Sequence, residues 1–163
     1  QVLLSAHTAN WEWAGAALAA RGFPPRAIAR RHSPSVERFF ARLRSRFGVR
    51  TEDGLRSASR DQRAGLLAIF CDRGGAMNRQ RDLSRTARAA ASLAARQGAL
   101  LIPTWMDRRP DGTYCVYFGP RLRPGRNREQ RLACACAAED CLVARLSRNP
   151  EQWFAFERLA SSA

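Results

Sequence analysis

Val2-Leu3-Leu4-Ser5 is a short apolar run followed at once by turn-forming residues, and the pattern predicts a buried strand. Trp11 to Arg21 is rich in Ala and Leu and stops at Gly22, with Asn10 placed to cap its start and Glu12 in the first turn, so a helix is expected. Phe23-Pro24-Pro25 breaks the chain, and Arg26 to Arg31 reads as a short strand. Ser33 and Pro34 supply an N-cap and first helical residue for a second helix. In it Val36, Phe39, Phe40, Leu43 and Phe47 form one apolar stripe and Arg38, Arg42 and Arg46 a basic ridge, so the aromatics are expected to be buried. Gly54 to Gly65 is polar and reads as a helix with loops; Leu66 to Cys71 is a continuous apolar run ending at Asp72, the pattern of a buried parallel strand delivering a polar residue at its carboxyl end. Leu83 to Gln97 reads as a helix closed by Gly98, Ala99 to Met106 as a strand, and Thr113 to Phe118 as its hairpin partner across Pro110-Asp111-Gly112. Gln130 to Leu146 is a helix, and Pro150 begins a last short one through Leu159. Strands alternating with helices predict an α/β fold with a mostly parallel sheet flanked by helices.

The length of 163 residues fits a single domain, 1–163, and the 45% apolar content fits a folded chain. Charge changes the picture more: 28 basic side chains, all Arg, stand against 14 acidic ones, a formal charge of +14. An anionic partner is expected, whether nucleic acid, acidic protein or anionic lipid. The five cysteines contain no Cys-x-x-Cys pair, which argues against a disulfide framework or zinc ribbon. Cys134 and Cys141 fall on one helix face with Cys136 elsewhere, and packing accounts for them better than a metal does. No uncharged apolar run reaches the roughly 18 residues that a membrane span needs. A buried strand at the first residue suggests that an upstream segment is missing, and that any membrane anchor lies in it.

The densest chemistry lies in His7-Thr8-Ala9-Asn10-Trp11-Glu12. His7 and Glu12 would stand about 17 Å apart along a strand and point about 140° apart on a helix. They meet only if the chain turns between them, as a strand ending at His7 and a helix capped by Asn10 would require. The carboxylate would then hold one imidazole nitrogen and leave the other to take a proton from an alcohol. On its own the spacing is weak evidence, since most isolated His-x4-Glu pairs are structural. His32 has no carboxylate spaced to hold it and reads as a surface or capping residue.

This block resembles the His-x4-Asp/Glu motif of the glycerolipid acyltransferase superfamily. Leu3 to His7 with Asn10-Trp11-Glu12-Trp13-Ala14-Gly15 is similar to the bacterial lipid A biosynthesis lauroyl/myristoyl acyltransferases. Arg21 to Pro24, Asp72 after its apolar strand, Gly98-Ala99 to Pro103, Arg108 to Tyr114, and Asn149-Pro150-Glu151-Gln152-Trp153 match in the same order. The resemblance implies an O-acyltransferase that moves a fatty acyl group from an acyl carrier protein or coenzyme A thioester to a hydroxyl of a lipid A precursor or related glycolipid. It implies His7 as general base and Glu12 as its orienting acid, with Asn10, Arg30, Arg31, Asp72, Arg73 and Arg158 holding substrate. No cofactor or metal is implied, because the thioester is already activated. The expected setting is the cytoplasmic face of the bacterial inner membrane, peripheral or held by a missing N-terminal helix, with the protein acting as a monomer on an anionic membrane lipid. The chain departs from the family pattern at Arg73, where Gln is usual, in lacking Phe-Phe-Gly after Asp72, and in an ending that keeps only Arg158. The rival readings are an Arg-rich nucleic-acid-binding module, which lacks any recognised motif, and an inactive membrane-binding paralogue.

Overall fold

The computed structural model describes residues 1–28, 34–52, 54–60, 65–72 and 84–154. Within them lies one sheet built from β1 (Val2–Ser5), β2 (Pro25–Ile28), β3 (Arg50–Glu52), β4 (Leu66–Phe70), β5 (Leu101–Arg108) and β6 (Tyr114–Phe118). Its order is β3-β2-β4-β1-β5-β6, with every neighbouring pair parallel except β5 and β6. Helices α1 (Trp11–Ala20), α2 (Pro34–Arg46), α3 (Leu55–Arg60), α4 (Arg85–Arg96) and α5 (Arg128–Arg148) connect and cover it, and a 3-10 turn, Pro150–Gln152, follows α5. The expected α/β architecture is present.

Strands β1 and β4 are apolar along their length because they lie centrally with side chains on both faces covered. The period of two sends Val2, Leu4, Leu67, Ile69 and Cys71 into the main core, where Ala87, Ala90, Ala91, Leu93 and Ala94 of α4 and Ala135, Ala138 and Leu142 of α5 meet them. Alanine faces bring the two helices close to each other and to the sheet, so this side is densely filled. Leu3, Ser5, Ala68, Phe70, Thr104 and Met106 line the space beneath α1 instead. No residue of α1 is fully buried, and that looser seating matters for the site.

Local signals explain most boundaries. Ser84 caps α4 by accepting from the Ala87 N–H, and Asn127 caps α5 by accepting from the Gln130 N–H. Helix α1 ends as the sequence predicts: the Phe23 N–H reaches the Leu18 carbonyl, the Gly22 N–H reaches Ala19, and Gly22 takes the positive φ of 84° that this closure requires. Asn10 holds the N-cap position of α1, but its side chain makes no capping hydrogen bond.

The elements depart from the expected ones at several places. Strand β3 carries no pattern in the sequence, because Arg50-Thr51-Glu52 is a polar edge strand with no alternation to detect. Strand β2 begins at Pro25, the first strand position, where a missing N–H is tolerated. The stripe on α2 is not buried: Phe39 and Phe47 are 63% and 47% exposed, Phe40 and Leu43 are half-buried, and Val36 lies outside the described side chains. Helix α2 packs on the edge strand β3 and on α1, so its apolar face has little sheet to cover it. The helix expected from Pro150 through Leu159 is present only as the 3-10 turn to Gln152: Trp153 is extended and bridged to Thr8, and residues 155–159 lie outside the described residues.

Candidate active site

The parallel register of β1 and β4 pairs Ser5 with Phe70, an offset that, carried two residues further, sets His7 opposite Asp72. Neighbouring strands lie about 4.8 Å apart, so both side chains emerge together at the carboxyl edge of the sheet. Such edges collect ligand-binding residues in parallel α/β proteins. His7 Nδ1 lies 2.5 Å from Asp72 Oδ1, and the His7 backbone N–H donates to Asp72 Oδ2 at 2.8 Å. Both residues are buried. Burial alone would push the Asp72 carboxyl up, yet it lies below its ordinary value, because the His7 ring hydrogen bond, the imidazole charge, the His7 N–H and the Trp153 indole outweigh desolvation.

Rings hold the imidazole in place. Phe70 stacks on it with centroids 4.5 Å apart, and Trp11 meets it edge-on at 4.8 Å. Among the described residues no group hydrogen-bonds to Nε2, and in the neutral ring that donates Nδ1–H to an ionised Asp72 this second nitrogen carries a lone pair.

The residues after α5 close over this edge. Trp153 forms an antiparallel bridge with Thr8, flanked by Ala9 N–H donating to the Gln152 carbonyl at 2.7 Å and Phe154 N–H donating to the His7 carbonyl at 2.9 Å. The Trp153 indole N–H donates to Asp72 Oδ2 at 2.9 Å. Gln152 also clasps the end of β5, accepting from the Arg108 N–H at 2.6 Å and donating to the Arg108 carbonyl at 3.1 Å. Thr8 Oγ1 accepts from the Met106 N–H at 3.0 Å, so the loop after β1 is fastened on two sides.

Two spaces flank Trp11, which lines both. One is an apolar slot of about 60 Å³ between α1 and the sheet, bordered by Leu3, Ala14, Gly15, Leu18, Ala68 and Phe70. The other is an open groove of about 1290 Å³ with Asn10, Arg108, Arg109, Tyr114, Tyr117 and Arg145 on its walls. Arg145 is paired with Asp107 there.

A model of the bacterial lipid A biosynthesis acyltransferases matches residues 1–160. The chain belongs to that family. A comparison with curated proteins found no match. Family membership makes the chain an acyltransferase of lipid A biosynthesis in general terms, and the two blocks that carried the resemblance, His7 to Gly15 and Asn149 to Trp153, are the ones that the fold brings into contact.

The geometry of this acyltransferase corrects the expected partner of His7. Glu12 points to α2, where Arg44 engages it through Nε at 2.9 Å and Nη2 at 2.5 Å, a bidentate pair that lines the slot and ties α1 to α2. The carboxylate at the ring is Asp72, expected only to hold substrate. Asn10 lies on the groove wall. Arg30, Arg31, Arg73, Arg158 and His32 lie outside the described residues. Sequence reasoning missed Arg44, which it counted in no ridge, and missed the contact of Trp153 with Asp72. The one usable signal for the dyad was that both His7 and Asp72 end apolar strands.

Proposed function

We propose that the chain moves a fatty acyl group from an acyl carrier protein or coenzyme A thioester to a hydroxyl of a lipid A precursor or related glycolipid, with His7 as general base. The buried His7–Asp72 pair carries this reading: its neighbours Ala6, Thr8 and Phe70 line the apolar slot, and Ala9, Trp11 and Trp153 line the open groove. Nε2 takes the proton of the acceptor hydroxyl as its oxygen attacks the thioester carbonyl carbon. The tetrahedral adduct then collapses, the C–S bond breaks, and the imidazolium returns the proton to the departing thiolate. Asp72 keeps Nδ1 protonated, orients the ring and offsets its transient charge. No covalent acyl-enzyme and no cofactor is called for by this chemistry.

The acyl chain is assigned to the slot under α1. At about 60 Å³ the slot has room for about two waters, so chain binding requires α1 to move outward. A helix with no fully buried side chain can do so at low cost. Glu12 and Arg44 are then the hinge side of that movement, tying α1 to α2 at the slot wall. The groove, with Asn10, Arg108 and Arg109, is assigned to the polar headgroup of the acceptor, and Arg30, Arg31, Arg73 and Arg158 remain proposed substrate contacts by resemblance.

Exposed aromatics rim the same edge: Trp13 lies 5.9 Å from Tyr114, and Trp11 lies 5.5 Å from the 73%-exposed Phe154. Aromatic rings with a wet side suit a bilayer interface. Together with +14 they support peripheral attachment to an anionic leaflet, the cytoplasmic face of the inner membrane, and docking of an acidic carrier. Among the described residues no helix is long and apolar enough to cross a membrane.

The test is acyl transfer from a thioester donor to lipid A precursors by the purified protein. His7→Ala should reduce the rate by roughly 100- to 10,000-fold. An unchanged rate, or no transfer by the wild type to any lipid hydroxyl, would overturn the reading.

A further inference from the structure

Trp153 is 2% exposed and ranks among the largest fully buried side chains, packed with Ala6 and Leu146 in a small cluster apart from the main core. Three backbone contacts fix it: the bridge to Thr8 and the hydrogen bonds of Ala9 with Gln152 and of Phe154 with His7. Its indole N–H is aimed at Asp72 Oδ2. So much constraint is more than the filling of a small cluster requires.

We propose that Trp153 is a positioning residue for acyl transfer, holding the Asp72 carboxylate through its indole N–H so that the opposite oxygen faces His7 Nδ1. This rests on the reading of His7 as the base. A carboxylate turns easily about its terminal bond, since that torsion has broad minima. Here Oδ2 receives two donors from one side, the His7 N–H at 2.8 Å and the Trp153 N–H at 2.9 Å, which leaves Oδ1 directed at the ring nitrogen. Without the indole, Oδ2 loses one of its donors, and the carboxylate plane is freer to turn away from Nδ1. Asp72 is 2% exposed, so solvent has little access to replace the lost donor.

The titratable groups packed around the carboxylate are few among the described residues. His7 faces it from the loop after β1. The neighbouring Cys71 thiol, pushed well up by burial and then by Asp72 and Glu139, donates to the Ser5 carbonyl and stays neutral. Glu139 on α5 has its own carboxyl raised by burial and accepts from the Ser84 N–H. The indole N–H is a listener to none of these: it stabilises the ionised form of Asp72, and its loss should make the carboxylate easier to protonate.

The experiment compares Trp153→Phe, Leu146→Ala and Asp72→Asn with the wild type. The first readout needs no substrate: the low-field proton NMR signal of the Nδ1–H between His7 and Asp72, identified by its loss in Asp72→Asn. The second is the acid limb of the pH–rate profile. Trp153→Phe should shift or broaden the signal and displace the acid limb from its wild-type position. Leu146→Ala weakens the same cluster without touching Asp72, and should lower the melting temperature while leaving signal and limb in place. Benzothienylalanine at position 153, in which sulfur replaces the N–H in a ring of the same shape, should repeat the Trp153→Phe result with less loss of packing. The proposal is overturned if removing the N–H leaves the signal and limb unchanged, or if Leu146→Ala moves them equally. Failure of the proposed reaction itself would show as no transfer by the wild type, and the NMR comparison would still decide the role of Trp153.

Discussion

Ala9 adopts a φ of 45°, the sole described non-glycine residue with positive φ, two positions after His7. The left-handed region costs an L-residue roughly 1 kcal/mol or more, and such strain persists where surrounding contacts over-determine the backbone. Here the Ala9 N–H is held by the Gln152 carbonyl, which explains how the turn survives. Ala9→Val should therefore lower unfolding free energy by about 1–3 kcal/mol, whereas Ala9→Gly should change it by less than about 1 kcal/mol; equal losses in urea unfolding would sink the strain account. Asp72 makes a second expectation. Its carboxyl is lowered in the folded protein from the ordinary 3.8 by donors that outweigh burial. A lowered folded-state value gives stability that is present above the ordinary range and lost as pH falls through the folded value. Urea unfolding below about pH 4 should thus lose stability more steeply in the wild type than in Asp72→Asn, and parallel pH dependences would count against the buried, hydrogen-bonded carboxylate.

Helix α1 and its slot carry the next expectation. Ala68 on β4 borders the slot. Ala68→Leu should fill part of it and move donor preference toward shorter acyl chains, read by competition between thioesters; an unchanged preference would place the chain elsewhere. At this scale the strands and helices were legible because apolar runs and the helix stop at Gly22 act locally. The pairing within the site was not. His7 meets Asp72 across 65 positions because two strands share a register, and no spacing within the segment from His7 to Glu12 encodes that. Glu12 lay at the expected distance in sequence, but from the first turn of α1 its carboxylate meets Arg44, a residue brought near only when α2 packs beside α1. The exposed stripe of α2 makes the same point, since periodicity reports a face and says nothing about what covers it.

Over the whole molecule, chemistry gathers at the carboxyl edge of the sheet, where the loops after β1 and β4 and the Asn149–Trp153 segment converge. A net charge of +14 and the aromatic rim beside that edge lead to an expectation of association with anionic vesicles that weakens as salt rises. Trp13→Ala should reduce vesicle binding in a flotation assay while leaving the fold intact, and binding that ignores both salt and Trp13 would contradict this orientation. The central claim is that His7 and Asp72 act as one unit in acyl transfer. A double-mutant cycle measures this most directly, using kcat/KM of the wild type, His7→Gln, Asp72→Asn and the double variant with a thioester donor and a lipid acceptor. The expected result is that the double variant is no slower than His7→Gln alone, because Asp72 acts only through the ring. Losses that multiply, or a His7→Gln enzyme as fast as the wild type, would contradict it.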